Sequence, residues 1–416
     1  MRVDKHIVAS MNRQLVLETI WEKGPISKAE ITRLTALSLP TVIKIMEELA
    51  GRGVIASCGK TEGSAGKRAE QYVFAGDAFY SIGIDMTPTN LKVVVIDLNG
   101  RVLGCGKKTF DQIPDVDSVL NDTQALVLSA LADSAVAKEA ILDVGVAVPG
   151  ILDTEKGMVL FSPNLRWENV DLLTPLRERL FAATGIRWEL QMENSNRTMA
   201  LGEQYYGSGV GSDYFICINL GYGIGAAAME HGELYKGISG TAGELGHITV
   251  EKDGPLCTCG NNGCLEALAS GRAIAQQARN LISSGVKTSI LELTGGDPAK
   301  IEAKTVFEAA EKQDMAAVDL VRKAGEYIGI GIASYINLLD PEIIVLGGGM
   351  SNEELLIEQI EKVVKVRRMR FAGRKVQVRV SELGEYATAI GAAAIQLKRL
   401  LRHGGRLHAN GEEEAV

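Results

Sequence analysis

The chain has 416 residues, 46% of them apolar and 23% charged, with a net charge of −8. That length exceeds one ordinary core and sets an expectation of two or three domains, and the acidic balance argues against a chain that grips polyanions along its whole length. No run of about eighteen apolar residues exists to span a membrane, residues 1–12 lack the apolar core of a signal peptide, and six cysteines are too few for a disulfide framework; a cytoplasmic protein is expected.

The charge is uneven. Residues 1–75 carry 11 Lys/Arg and 8 Asp/Glu, a balance of +3 that leaves −11 for the rest. A basic end on an acidic body fits a small nucleic-acid module joined to something that does not touch nucleic acid. The pattern predicts a first helix over 12–23, with Leu15, Val16 and Ile20 on its apolar face and Gly24-Pro25 as its stop. Ser27-Lys28-Ala29-Glu30 is a capping box that opens a second helix. Ser38 caps a third helix, with Pro40 in its first turn, where a missing N–H costs little. Val42, Ile45, Met46 and Leu49 then form one buried stripe.

The opposite face of the third helix offers Leu39, Thr41 and Lys44 near its N-terminus, the turn that enters the major groove in helix-turn-helix proteins. A hairpin follows, over 53–57 and 71–74, with a polar tip carrying Lys60, Lys67 and Arg68 suited to phosphate. Residues 1–76 are therefore expected to be a winged helix-turn-helix that contacts DNA through Ser38, Leu39, Pro40, Thr41, Lys44, Lys67 and Arg68. The alternative is a three-helix protein-interaction module.

Beyond residue 77 the order strand, hairpin, helix, strand occurs twice. The first copy has strands at 80–85, 91–97 and 101–110, a helix around 119–132 and a strand at 143–149. The second has strands at 214–220 and 226–230, a return at 233–235, a long helix near 319–338 and a strand at 342–346. Two copies of one plan imply an α/β body of two similar lobes with a cleft between them. The plan resembles the actin, sugar-kinase and heat-shock ATPase superfold (ribonuclease H-like). The expected lobes are 77–195 and 196–403, and residues 404–416 are expected to be a disordered tail.

The residues also resemble a known family. Val148-Pro149-Gly150, Ser162-Pro163-Asn164-Leu165, Glu193-Asn194, the stretch Gly240 to His247 with its Glu-Leu-Gly-His end, Cys257-Thr-Cys-Gly-Asn-Asn-Gly-Cys-Leu-Glu266 and Val345-Leu-Gly-Gly-Gly349 are similar to the ROK group (repressor, open reading frame, kinase). The Glu-Leu-Gly-His and Cys-x-Cys-Gly-x-x-Gly-Cys pieces are the specific ones. The attached winged helix resembles the repressor branch.

The resemblance implies a sugar site made by Asn164, Asn194, Glu244, His247 and Glu266. It also implies a structural Zn2+ held by His247, Cys257, Cys259 and Cys264; three thiolates and one imidazole suit tetrahedral zinc and leave no open catalytic position. The alternative for these cysteines is a reduced, flexible loop. The zinc loop is expected to be pinned against a single helix over 264–284. His247 would bind zinc through one ring nitrogen and face the sugar with the other.

Three departures from the kinases of the group argue against phosphoryl transfer, so no catalytic residue is expected. The kinase base, an Asp, is replaced by Ser195, and an alcohol is no base at neutral pH. The first phosphate loop reads Asp85-Met-Thr87-Pro88-Thr89, where Thr87 and Pro88 obstruct backbone contact with phosphate. Tyr222 replaces a Thr in the second loop. The expected function is a repressor of carbohydrate uptake and catabolism genes, a homodimer or homotetramer on double-stranded operator DNA, released by a sugar between the lobes. Two alternatives stand beside it: an ATP-dependent sugar kinase carrying a DNA-binding domain, and a repressor controlled by a partner protein such as a sugar-transport component.

Overall fold

The computed structural model describes residues 5–60, 69–371 and 376–406. The N-terminal unit contains α1 (Lys5–Lys23), β1 (Ile26–Ser27), α2 (Lys28–Thr35), α3 (Leu39–Gly51), β2 (Ile55–Lys60) and β3 (Glu70–Phe74), with sheet order β1-β3-β2. Local chemistry fixes its boundaries. Glu30 N donates to Ser27 Oγ at 3.3 Å while Ser27 N donates to Glu30 Oε2 at 3.0 Å, a reciprocal cap. Thr41 N donates to Ser38 Oγ at 3.3 Å at the start of α3. Val42, Ile45, Met46 and Leu49 are buried as the stripe requires.

Helix α1 departs from expectation in two ways. It begins by Lys5, not near residue 12, and its early turns leave Ile7 and Met11 exposed. Leu15, expected inside, is also exposed, and the core is met by Val16, Leu17 and Ile20. The apolar pattern that marks the helix from sequence covers only the half that packs.

The first lobe is a five-stranded sheet of order β11-β7-β4-β5-β6, built from β4 (Tyr80–Met86), β5 (Asn90–Asp97), β6 (Val102–Thr109), β7 (Ile141–Val148) and β11 (Glu189–Asn194). A small sheet of β8 (Ile151–Asp153), β9 (Met158–Ser162) and β10 (Trp167–Asp171) follows β7. Helices α4 (Val116–Ser134) and α5 (Leu173–Thr184) pack together, α4 against β5 and β6. Helix α6 (Ser195–Tyr206) leads to the second lobe.

The second sheet has order β14-β13-β12-β15-β16, from β12 (Tyr214–Leu220), β13 (Ile224–Glu230), β14 (Glu233–Leu234), β15 (Ile343–Gly347) and β16 (Gln377–Val380). Its core side holds α7 (Leu265–Ala269), α8 (Gly271–Ser283), α9 (Ser289–Leu293), α10 (Ala303–Glu311), α11 (Met315–Leu339) and α12 (Glu354–Arg367). The single helix expected over 264–284 is two helices: Ser270 has extended backbone and its side chain caps the second by accepting from Ala273 N at 3.2 Å.

The final helix, α13 (Ala387–Arg402), corrects the expected division at residue 195. It leaves the second sheet and packs on β4 and β7 of the first, while its other side meets α6. The approach is backbone to backbone: a Cβ at Gly83 would lie 1.9 Å from Ala389 O, and one at Gly391 would lie 1.7 Å from Thr198 O. Helix α6 in turn packs on β12 and β13, so the two helices fill the space between the sheets.

The tail also differs from expectation. Leu397, Leu400 and Leu401 share one buried cluster with Leu17, Ile20 and Leu49 of the N-terminal unit. Gly404 and Gly405 are buried, with Gly405 against Leu49 and Val54. Disorder expected from residue 404 therefore does not hold for 404–406, because these residues close the core of the first unit; 407–416 lie outside the described residues. Among the described residues, no helix is long and apolar enough to cross a membrane.

Candidate functional site

Strand β11 delivers Glu193 and Asn194 to the floor of the cleft. Asn194 caps α6, its Oδ1 accepting from Asn196 N at 2.9 Å, and its Nδ2 donates to Gly150 O at 3.0 Å. Those bonds tie the helix start to the turn after β7, the neighbouring parallel strand. Asn194, Asn196 and Arg197 line the recess on this side, and Gly240, Thr241 and Glu244 close it from the second lobe.

Glu193 sits between two cations, with Lys236 Nζ at 2.5 Å and Arg197 Nη1 at 3.3 Å. Burial works to raise its carboxyl, and the hydrogen bond and charge of Lys236, with Arg197 beside it, hold it below the usual carboxylate range. Sequence reasoning singled out Asn194 and Glu244 but missed Asn196, Arg197 and Lys236. Arg197 carries a local signal, in the first turn of α6 and four residues after Glu193. Lys236 is 43 residues from Glu193 and carries none.

The other expected sugar residues stand beside this recess. Glu266 is buried, and its Oε2 accepts from Ile224 N at 3.0 Å. At Gly223 a Cβ would lie 2.4 Å from Glu266 Oε2 and 3.3 Å from Asn164 Nδ2, so Asn164 and Glu266 both approach the backbone of one turn. His247 Nε2 lies 3.9 Å from Glu244 Oε2. The five residues therefore form two groups, Asn194 with Glu244 along the recess and His247 beside Glu244, and Asn164 with Glu266 at the Gly223 turn.

The other face of the His247 ring meets the cysteines. Nδ1 is 3.6 Å from Cys257 Sγ, and Cys259 Sγ is 3.7 Å from Cys264 Sγ. The four ligand atoms lie within 4.8 Å of one another. A tetrahedron with metal–sulfur bonds of about 2.3 Å has edges of about 3.8 Å, which the 3.6 and 3.7 Å pairs match. Burial, together with the neighbouring thiols, pushes the Cys264 thiol up to about 12; a bound cation would reverse that cost. Gly260 and Gly263 both have positive φ, 92° and 67°, and a Cβ at Gly263 would lie 1.6 Å from Glu251 O. The cluster could hold a metal, and all its atoms come from one loop and the short 3-10 turn Leu245–His247.

The opposite wall is arranged differently. Thr87 Oγ1 donates to Asn90 O at 2.8 Å and accepts from Asn90 N at 3.0 Å, so the β4–β5 turn closes on itself. Asp85 is buried with Oδ1 unpartnered, and burial raises its carboxyl to about 6. Ser195 Oγ, at the start of α6, is buried and unpartnered as well.

At the far end of the molecule, Ser38, Leu39, Pro40 and Lys44 are exposed and Thr41 is half-buried, its Oγ1 2.8 Å from Ser38 Oγ. Lys67 and Arg68 lie outside the described residues.

Comparison with known proteins bears on both ends. The ROK family profile matches residues 81–399. The xylose repressor of Caldicellulosiruptor bescii is 27% identical over 396 residues, covering 95% of this chain and 97% of that one. The glucokinase of Thermotoga maritima is 35% identical over 325 residues, covering 77% of this chain and 98% of its own. Among solved structures, a ROK family transcriptional regulator, a homologue of the Escherichia coli Mlc protein, superposes with a TM-score of 0.77 at 28% identity, covering 96% of this chain and 98% of that one. The repressor and regulator matches span the chain nearly end to end; the kinase match spans about three quarters of it.

Proposed function

The chain belongs to the ROK family, and from that premise we propose that it is a DNA-binding transcriptional repressor controlled by a sugar bound between its lobes. The observation that carries this reading is at the head of α6. Asn194 stands in a recess with Glu244, beside His247, while the adjacent position holds Ser195 in place of a catalytic carboxylate. A site that keeps polar recognition groups and lacks a base can bind a sugar without turning it over.

In this proposal Asn164, Asn194, Glu244, His247 and Glu266 receive sugar hydroxyls, and Arg197 and Lys236 brace Glu193 beneath them. His247, Cys257, Cys259 and Cys264 hold a structural Zn2+. The ion supplies a rigid cross-link, fixing the His247 ring so that Nε2 faces Glu244 and the recess. Ser38, Leu39, Pro40, Thr41 and Lys44 read the major groove, with Lys67 and Arg68 on phosphate. Two copies of the chain place two winged helices on half-sites, and closure of the cleft on sugar moves them out of register. Controlled genes would serve carbohydrate uptake or catabolism, in the cytoplasm.

One observation favours a second reading. The kinase relative shares the higher identity, 35%, which keeps an ATP-dependent sugar kinase in play. Calorimetry with a panel of pentoses, hexoses and N-acetylhexosamines, run beside an ATP-coupled phosphorylation assay on the same sugars, separates the two. Saturable binding of one sugar with no ATP consumption supports the repressor; turnover of that sugar supports the kinase. Binding of none, with intact operator binding, supports control by a partner protein.

A further inference from the structure

A sugar-controlled repressor needs a physical link between cleft and winged helix, and the short segment 231–244 spans that distance. It begins with the hairpin between β13 and β14, where His231 and Gly232 both have positive φ, 49° and 75°. That turn geometry matches strand twist and fixes the position of β14 on the second sheet. The Glu233 carboxylate reaches out from β14 to two cations of α13, Lys398 Nζ at 2.8 Å and Arg402 Nη2 at 2.6 Å. The same stretch of α13 gives Leu397, Leu400 and Leu401 to the winged-helix core.

Three residues after Glu233, the chain enters the site. Lys236 Nζ holds Glu193, Ala242 N donates to Lys236 O at 3.1 Å, and the Gly240 carbonyl accepts from Arg197. Gly240, Thr241 and Glu244 are cleft wall. One end of the segment is therefore held by the ligand site and the other by the helix that completes the DNA-binding unit. Helix α6 runs beside it, from Asn194 at the cleft to Tyr205, whose ring stands 5.3 Å from Trp21 of α1 in an edge-on contact.

Among the described residues, Glu233 is the only carboxylate in an ion pair with Lys398 or Arg402, and the Lys398 side chain is just 15% exposed. Loss of Glu233 leaves both cations without their carboxylate; the mostly covered Lys398 loses more by it than Arg402, which like Glu233 is about half exposed. Glu18 of α1 lies close enough to feel both Glu233 and Arg402, so the first helix shares the same charge cluster.

We infer that Glu233 is a latch: its ion pairs with Lys398 and Arg402 hold the winged helix in one pose against the second lobe, and ligand-driven movement of 236–244 is passed to the DNA-binding unit through it. The inference rests on the repressor reading. It is tested on the full chain by operator affinity with and without a saturating inducing sugar, in wild type, Glu233→Gln, Arg402→Gln and the double variant. Wild type is expected to lose affinity within the usual range of roughly 5- to 150-fold. Glu233→Gln is expected to bind sugar and DNA but to lose the coupling, to within about twofold of none, with Arg402→Gln adding nothing to it. Wild-type coupling in Glu233→Gln, or full additivity of the two changes, overturns the latch.

If no sugar releases wild-type DNA, the repressor reading has failed and the latch is decided separately. Acrylamide quenching of Trp21 in a Trp167→Phe, Trp188→Phe background then reports the junction without ligand. Greater access in Glu233→Gln supports the latch, and unchanged access overturns it.

Discussion

The two walls of the cleft have gone different ways. On the second-lobe side, Glu244 stands beside His247, His247 belongs to a four-ligand cluster, and glycine is enforced at Gly263 by a backbone contact that leaves no room for a side chain. On the first-lobe side, Thr87 satisfies its own turn, Asp85 is buried and half-neutralised near pH 6, and Ser195 faces no partner. The polar residues that line the recess and the Thr87 turn sit on separate elements of this fold, so either can change while the other keeps its geometry.

The largest expected effect falls on the wall that is kept. Cys264→Ser, or removal of metal by a strong chelator, is expected to lower the melting temperature by about 10 °C or more and to abolish sugar binding, because structural-site energy is folding energy. Calorimetric melting with and without chelator measures it, and an unchanged melt would mean that the cysteines hold nothing. On the wall that is altered, Ser195→Asp is expected to yield no ATP-dependent sugar phosphorylation above wild type, since a restored base still faces a closed Thr87 turn. Measurable turnover would show that one residue separates the two activities and would narrow the contrast to that position.

At the DNA-reading end, Lys44→Ala is expected to weaken operator binding roughly tenfold and to reduce the salt slope by about one. Equal binding at several salt concentrations would remove Lys44 from the interface. An effect of similar size, on stability, concerns Asp143, 3.1 Å from Arg399 of α13, whose carboxyl is pushed up to about 7, mainly by burial. A raised folded-state value means the group favours folding while protonated, and that contribution is lost as pH rises from about 4 through 7. Asp143→Asn is therefore expected to gain on wild type over that interval, by about 1–3 kcal/mol, and to hold the gain above it. Melting curves at pH 4, 6 and 8 that shift in parallel would refute this.

Much of this was legible in the chain. The caps at Ser27 and Ser38, the buried stripe of α3, both strand sets and the His-Cys cluster are local patterns, and local patterns survive without knowledge of partners. What stayed hidden is long-range. Nothing near Lys236 announces Glu193, and nothing near Gly405 announces Leu49. The assignment of α13 to the second lobe followed chain order, whereas its small residues, Ala389, Gly391 and Ala392, suit close backbone packing against β4, β7 and α6. The early turns of α1 were missed because exposed helix has no apolar period to read.

The most direct test of the proposed control is fluorescence anisotropy of the protein on duplexes from the region upstream of its own gene, at fixed salt, titrated with the sugar panel. Tight, salt-sensitive binding that one sugar releases is the expected result, and it would identify the inducer. Tight binding that no sugar releases, or turnover of sugar with ATP and no specific DNA binding, would contradict it.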